Sequence, residues 1–128
     1  MALDVEAARL AALRCRPADI RQLRLLLVER GDYAVGEKAA FVARDFAFHH
    51  AVIAASRNSV LLGLYDFSSR LIAETIEATL GEDLPEPDMA AHSAIVDAIE
   101  TGEPDRADAA VRRFMAPVLA ALDRMLMS

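Results

Sequence analysis

Residues 38–56 read Lys38-Ala39-Ala40-Phe41-Val42-Ala43-Arg44-Asp45-Phe46-Ala47-Phe48-His49-His50-Ala51-Val52-Ile53-Ala54-Ala55-Ser56. Phe41, Val42, Phe46, Val52 and Ile53 fall on one stripe at helical spacing, which predicts an amphipathic helix. Asp45 and His49 sit inside that stripe. Residues four apart lie one above the other on a helix, so this carboxylate and imidazole point inward together. An unpaired buried carboxylate is costly. Something must neutralise it: a bound metal, an arginine or a charged histidine. His50 is rotated about 100° away, among Ala43, Ala47, Ala51 and Ala54, and is expected to face outward.

The anomaly repeats further along. Met89, Ile95, Val96 and Ile99 form the apolar side of another expected helix, and His92 lies in that row. Two inward polar positions on separate helices point to an internal polar site. Imidazole and carboxylate together suit zinc, nickel, manganese or iron(II).

The same period of three and four runs almost throughout, and no stretch alternates long enough to suggest a strand. Helices are expected over about 3–14, from Pro17 to near Gly31, over 38–56, 60–80 and 89–101, and from Pro104 to about 127. Proline suits the first helical turn and glycine the residue after the last, as at Gly31, Gly81 and Gly102. Asn58 or Ser59 is placed to cap the fourth helix. In the first, Leu3, Ala7, Leu10 and Leu13 share a side. Residues 81–88 form an acidic, proline-containing connector. Short loops between about six helices make an all-α antiparallel bundle the expected fold, one domain over residues 1–128.

Composition narrows the function. The 128 residues are 55% hydrophobic and 27% charged, a globular balance, and 5 Gly and 5 Pro leave few helix breakers. Lys and Arg number 14 against 20 Asp and Glu, a net charge of −6. That balance opposes autonomous binding to nucleic acid or an anionic membrane surface. No apolar run approaches the roughly 20 residues of a membrane span. A single cysteine, Cys15, and no signal-peptide pattern fit a cytoplasmic protein.

Other polar groups have plainer readings. Asp66, Arg70 and Glu74, spaced by four, suggest a solvated ion ladder. Ser68 and Thr75 fall on the apolar side of the fourth helix, where they either line a cavity or bond back to helix carbonyls. Cys15 reads as a small, partly buried residue. Phe114 shares a stripe with Ala107, Ala110, Val111, Val118 and Leu122, and Pro117 inside the same helix predicts a kink nearby. There is no Gly-rich phosphate loop, nucleophile elbow or Cys-x-x-Cys pair.

Three segments together resemble a known family. Leu3 to Ala12 is similar to the opening helix of the C-terminal effector domain of FadR-type GntR transcription regulators. Asp45-Phe46-Ala47-Phe48-His49 and then Ser56-Arg57-Asn58 resemble its Asp-x-x-Phe-His segment and Ser-x-Asn turn. His92-Ser93-Ala94-Ile95 with Gly102 resembles its His-x-x-Ile helix. The resemblance implies a dimerising, ligand-sensing helical domain, not an enzyme, whose interior takes a small carboxylate and a divalent metal.

The family's metal ligands are one Asp and three His, which Asp45, His49 and His92 match in three places. At the fourth, 22 residues after His92, stands Phe114. Two outcomes stay open: a facial site with open positions, or a member that takes a more apolar ligand without metal. With Ser68 and Thr75 these four complete the candidate ligand-binding set. The family's N-terminal winged helix-turn-helix is absent from the 128 residues, so contact with DNA is expected only through such a domain. Two rival readings remain, a 2-His-1-carboxylate metalloenzyme and a ligand-free oligomerisation bundle.

Overall fold

A computed structural model describes residues 2–33, 36–79 and 87–127 of the chain. Among them the secondary structure is helical throughout: α1 Ala2–Arg14, α2 Pro17–Arg30, α3 Lys38–Ala55, α4 Ser59–Phe67, α5 Ser69–Thr79, α6 Met89–Glu100 and α7 Pro104–Met127. The expected all-α fold is what the chain adopts. The acidic connector falls almost entirely outside the described residues, as does the end of the expected fourth helix at Leu80 and Gly81.

Local chemistry sets most boundaries. Pro17 opens α2, whose first turn is tied by the Arg16 amide donating to Asp19 Oδ2 at 2.8 Å. Gly31, at φ +57°, closes it. Asn58 caps α4, its side-chain oxygen accepting from the amides of Val60 and Leu61 at 3.0 and 3.1 Å. Asp88 does the same for α6 through Ala91. Between α3 and α4, Arg57 turns the chain at φ +56°, a left-handed conformation unusual outside glycine. Its guanidinium is held by both carboxylate oxygens of Asp19, at 2.8 and 2.7 Å. The buried Ser56 hydroxyl bonds back to the Ile53 carbonyl. The Ser-x-Asn segment is therefore a cap and turn.

Two expectations need correction. The helix expected over 60–80 is two helices that meet at Ser68, at φ −90° and ψ 6°. No glycine or proline marks the break, and both helices lie against α3. Tyr65 on α4 is buried against Phe46, and Asp66 meets His50 at 2.9 Å. Beyond Ser68, α5 carries Glu77 to within 3.8 Å of Lys38 at the start of α3. One straight axis need not serve both ends. The second correction concerns α1, which buries Val5, Ala7, Ala8, Ala11 and Ala12 while Leu13 is 63% exposed. α1 packs against α3, α6 and α7 at once, and small side chains on two sides permit that close approach.

The core runs along α1, α2, α3, α6 and α7, with Leu23, Leu27, Phe48, Val96, Ile99 and Val111 fully enclosed. A smaller cluster of Ala7, Ile53 and Tyr65 lies beneath α4 and α5. The cavity described next lies against residues of both clusters.

Candidate functional site

Four charged or polar residues are buried among the described ones: Arg30, Asp45, Ser56 and His92. Three of them meet. The Ile20, Leu23, Leu27 stripe of α2 continues one turn further to Arg30, which therefore enters the interior at the helix end. Its Nε donates to Asp45 Oδ1 at 2.5 Å, and its other nitrogens donate to the carbonyls of Gly31 and Pro87 at 2.7 and 3.0 Å. The guanidinium also stacks over Phe41, 4.7 Å from the ring centre. Arginine is one of the three neutralisers that the buried carboxylate demanded.

Both histidines meet Asp45 as well. His92 Nε2 lies 3.0 Å from Oδ1, and His49 Nε2 lies 3.5 Å from Oδ2. Burial alone would push the Asp45 carboxyl up; His49 and His92 outweigh it and hold the carboxyl far below the ordinary range. Burial pushes the half-buried His49 down, but the Asp45 carboxylate raises it on balance. Desolvation wins at His92, which is lowered and so favours the neutral ring.

That neutral ring carries information. His92 Nδ1 lies 2.7 Å from the Asp88 carbonyl, which can only accept, so Nδ1 holds the proton. Nε2 is then the ring atom that faces Asp45 Oδ1: protonated it donates to the carboxylate, and unprotonated it offers a lone pair that a shared cation would take. A cation among these atoms would turn that lone pair and the carboxylate into ligands. One donor atom each from Asp45, His49 and His92 lie within 4.8 Å of one another. Donor types, spacing and the His92 tautomer all fit a divalent ion, although Arg30 already supplies one compensating charge.

Phe114 stands beside both histidines. Its ring centre is 4.7 Å from that of His92 and 5.8 Å from that of His49, both edge-on. Phe114, which the resemblance aligns with the family's fourth ligand, therefore presents an apolar ring edge-on to both histidines. Ser68 also lines the cavity, at the break between α4 and α5. Thr75 belongs to α5, but its side chain lies outside the described residues. His50 faces outward, paired with Asp66 at 2.9 Å, so the expected ladder reduces to Arg70 and Glu74 at 3.3 Å.

Arg30, Asp45, His49, His92 and Phe114 line one part of a cavity of about 370 Å³. Val52, Ile72, Ile76, Ile95 and Val118 supply apolar walls, and Leu3 and Asp4 bring α1 to it. The volume suits a small organic molecule. Sequence reasoning missed Arg30 and Tyr65. Arg30 had left a signal, since it continues the apolar stripe of α2; Tyr65 had left none beyond its place among leucines.

The family model of the FCD domain matches residues 1–116. The chain belongs to the FCD domain family. It is 34% identical, over 87 residues and 67% of its length, to a probable D-xylose utilization operon transcriptional repressor of Paenarthrobacter nicotinovorans. It is 38% identical, over 81 residues and 60% of its length, to the HTH-type transcriptional regulator LutR of Bacillus subtilis (strain 168). These matches cover 38% and 35% of the relatives' own lengths, so the chain spans little more than a third of each. The FCD match and the two regulators point to a domain of a transcription regulator, not an enzyme. The metalloenzyme reading falls with that. Among the described residues no helix is long and apolar enough to cross a membrane.

Proposed function

We propose that the seven helices form the effector-sensing domain of a FadR-type GntR regulator, which binds a small carboxylate in the cavity and acts in the cytoplasm. The observation that carries this reading is an apolar cavity with one ionic wall, Arg30, Asp45, His49 and His92. An oligomerisation bundle with no ligand has no use for 370 Å³ beside His49, where tight packing would be more stable.

Asp45, His49 and His92 would hold a divalent ion, which supplies positive charge for an anionic effector. The charge balance supports the pairing. Arg30 and Asp45 cancel, so a dication leaves an excess that a carboxylate offsets. Phe114 leaves such an ion with positions open for effector oxygens.

The domain signals by population shift. Leu3 and Asp4 stand in the cavity wall, so an occupant touches the helix to which a preceding DNA-binding domain would attach. Effector binding then favours one placement of that domain. The domain also dimerises. Val60, Leu64, Phe67 and Leu71 are 69%, 52%, 91% and 67% exposed and follow one another at helical spacing along α4 and α5, an apolar row that suits a second copy.

A thermal-shift screen of small carboxylates, with and without zinc, nickel or manganese, tests the central proposal. A ligand at a hundredfold excess over Kd adds about 2.7 kcal/mol to stability. Stabilisation by a carboxylate, larger with metal than without, is the expected result. No shift across the panel contradicts it. Sedimentation at micromolar concentration should return a dimer; a monomer alone contradicts the dimer.

A further inference from the structure

Arg30 stands among the candidate metal ligands without being one of them. Its Nε donates to Asp45 Oδ1 at 2.5 Å, and the same oxygen faces His92 Nε2 at 3.0 Å. An ion held by Asp45, His49 and His92 would therefore share the one anionic member of its ligand set with a resident cation. The guanidinium is fixed there. Its other nitrogens donate to the Gly31 and Pro87 carbonyls, its face lies over Phe41, and its side chain is 1% exposed. Just beyond, the Met89 amide donates to Asp32 Oδ1 at 3.2 Å, a second tie between the end of α2 and the start of α6. Turning the guanidinium aside would strand a buried charge and two carbonyls.

That arrangement changes what a metal meets. Asp45 is compensated before any ion arrives, so the fold does not depend on one. A dication entering the site meets a like charge where little water screens it. It also meets a carboxylate oxygen already engaged by a charged donor. Phe114 supplies no lone pair to make up the difference, only an apolar ring beside both imidazoles. The ordinary hydrogen-bond partner of a metal ligand has the opposite effect. It steadies the ligand, and its loss weakens metal binding about 10–100-fold. The sign of the change on removing Arg30 therefore separates the two roles.

We propose that the Arg30 guanidinium is a built-in competitor for the divalent ion, which it replaces at Asp45 in the ion-free protein and whose affinity it holds down. This rests on the proposal that Asp45, His49 and His92 take such an ion. Guanidinium and metal are then alternative counterions for one buried carboxylate. With Arg30 in place the chain folds without metal. With Arg30 removed, the metal takes over its stabilising role.

The test uses the 128-residue chain with its Arg30→Met and Arg30→Lys variants, and zinc alone as the probe, at neutral pH in a buffer that does not bind metal. By calorimetry Arg30→Met should bind zinc at least tenfold more tightly than the wild type, about 1.4 kcal/mol. Zinc should also raise its melting temperature by more. Arg30→Lys keeps a positive charge and should stay closer to the wild type than Arg30→Met does. Should Arg30→Met be unfolded in chelator, zinc should refold it, as read by circular dichroism. Zinc affinity in a folded Arg30→Met that is equal to or weaker than wild type overturns the proposal, and makes Arg30 a support for the ligands. A variant that stays unfolded at saturating zinc overturns it too, as does an equal gain in Arg30→Lys and Arg30→Met. In each of these cases zinc binding by the wild type leaves the metal proposal standing. Zinc binding by none of the three proteins defeats the metal proposal and this one together.

Discussion

Arg30→Met probes the charge balance on which the site stands. Methionine keeps an unbranched stem and removes the guanidinium, leaving the Asp45 carboxylate in the interior with two imidazoles. The Arg30 and Asp45 side chains are 1% and 7% exposed. Removing one member of so buried a pair costs about 3–5 kcal/mol, since the other charge is stranded. The Gly31 and Pro87 carbonyls also lose their donors, which moves the expectation to the upper half of that range. Against a total stability of about 5–15 kcal/mol, the variant should be barely folded or close to it. Urea unfolding followed by circular dichroism, with chelator present, measures the loss. The double variant Arg30→Met/Asp45→Asn removes the stranded charge and should recover at least about 2 kcal/mol relative to additivity. An Arg30→Met protein within about 1 kcal/mol of wild type would refute the reasoning, as would strict additivity.

Phe114→His should complete a four-ligand set and tighten zinc binding at least tenfold, about 1.4 kcal/mol, by calorimetry at neutral pH; a folded variant with unchanged affinity means the ring does not stand at the fourth position. Asp19→Asn should cost about 1 kcal/mol at neutral pH, because the carboxylate ties the first turn of α2 and holds Arg57. Burial pushes the Asp19 carboxyl up, but the Arg16 amide and Arg57 outweigh it and lower it overall. The folded carboxyl therefore binds protons less readily than the unfolded one. Its contribution is complete above about pH 4 and is lost as the pH falls through the lower folded value. A wild-type minus variant difference that grows on acidification would contradict this assignment.

The fold was legible because helical periodicity is local. Each stretch of apolar residues at three and four declares its own helix, and a cap such as Asn58 declares where it starts. The break at Ser68 was not legible, since no glycine or proline stands there and the contacts of Tyr65 and Asp66 with Phe46 and His50 are tertiary. The α1 face was misread for a similar reason: an Ala-rich helix among several neighbours buries its small residues first, leaving Leu13 outside. At the site, Asp45 and His49 announced each other across one turn, and His92 stood out as a polar residue in an apolar row. Arg30 was harder, because arginine at a helix C-terminus is ordinarily explained by the helix dipole. Only the meeting of α2 with α3 shows that it serves a carboxylate 15 residues away.

The chain has three histidines, and they separate the account from its alternatives in a single spectrum. Long-range proton–nitrogen correlation of the imidazoles during a zinc titration reads each ring directly. The site described here predicts that the Nε2 resonances of His49 and His92 move together at one equivalent. His50, outward and paired with Asp66, should stay in place. Zinc that shifts His50 first, or that leaves His49 and His92 unchanged while binding elsewhere, would contradict the assignment of Asp45, His49 and His92 as the sensing site.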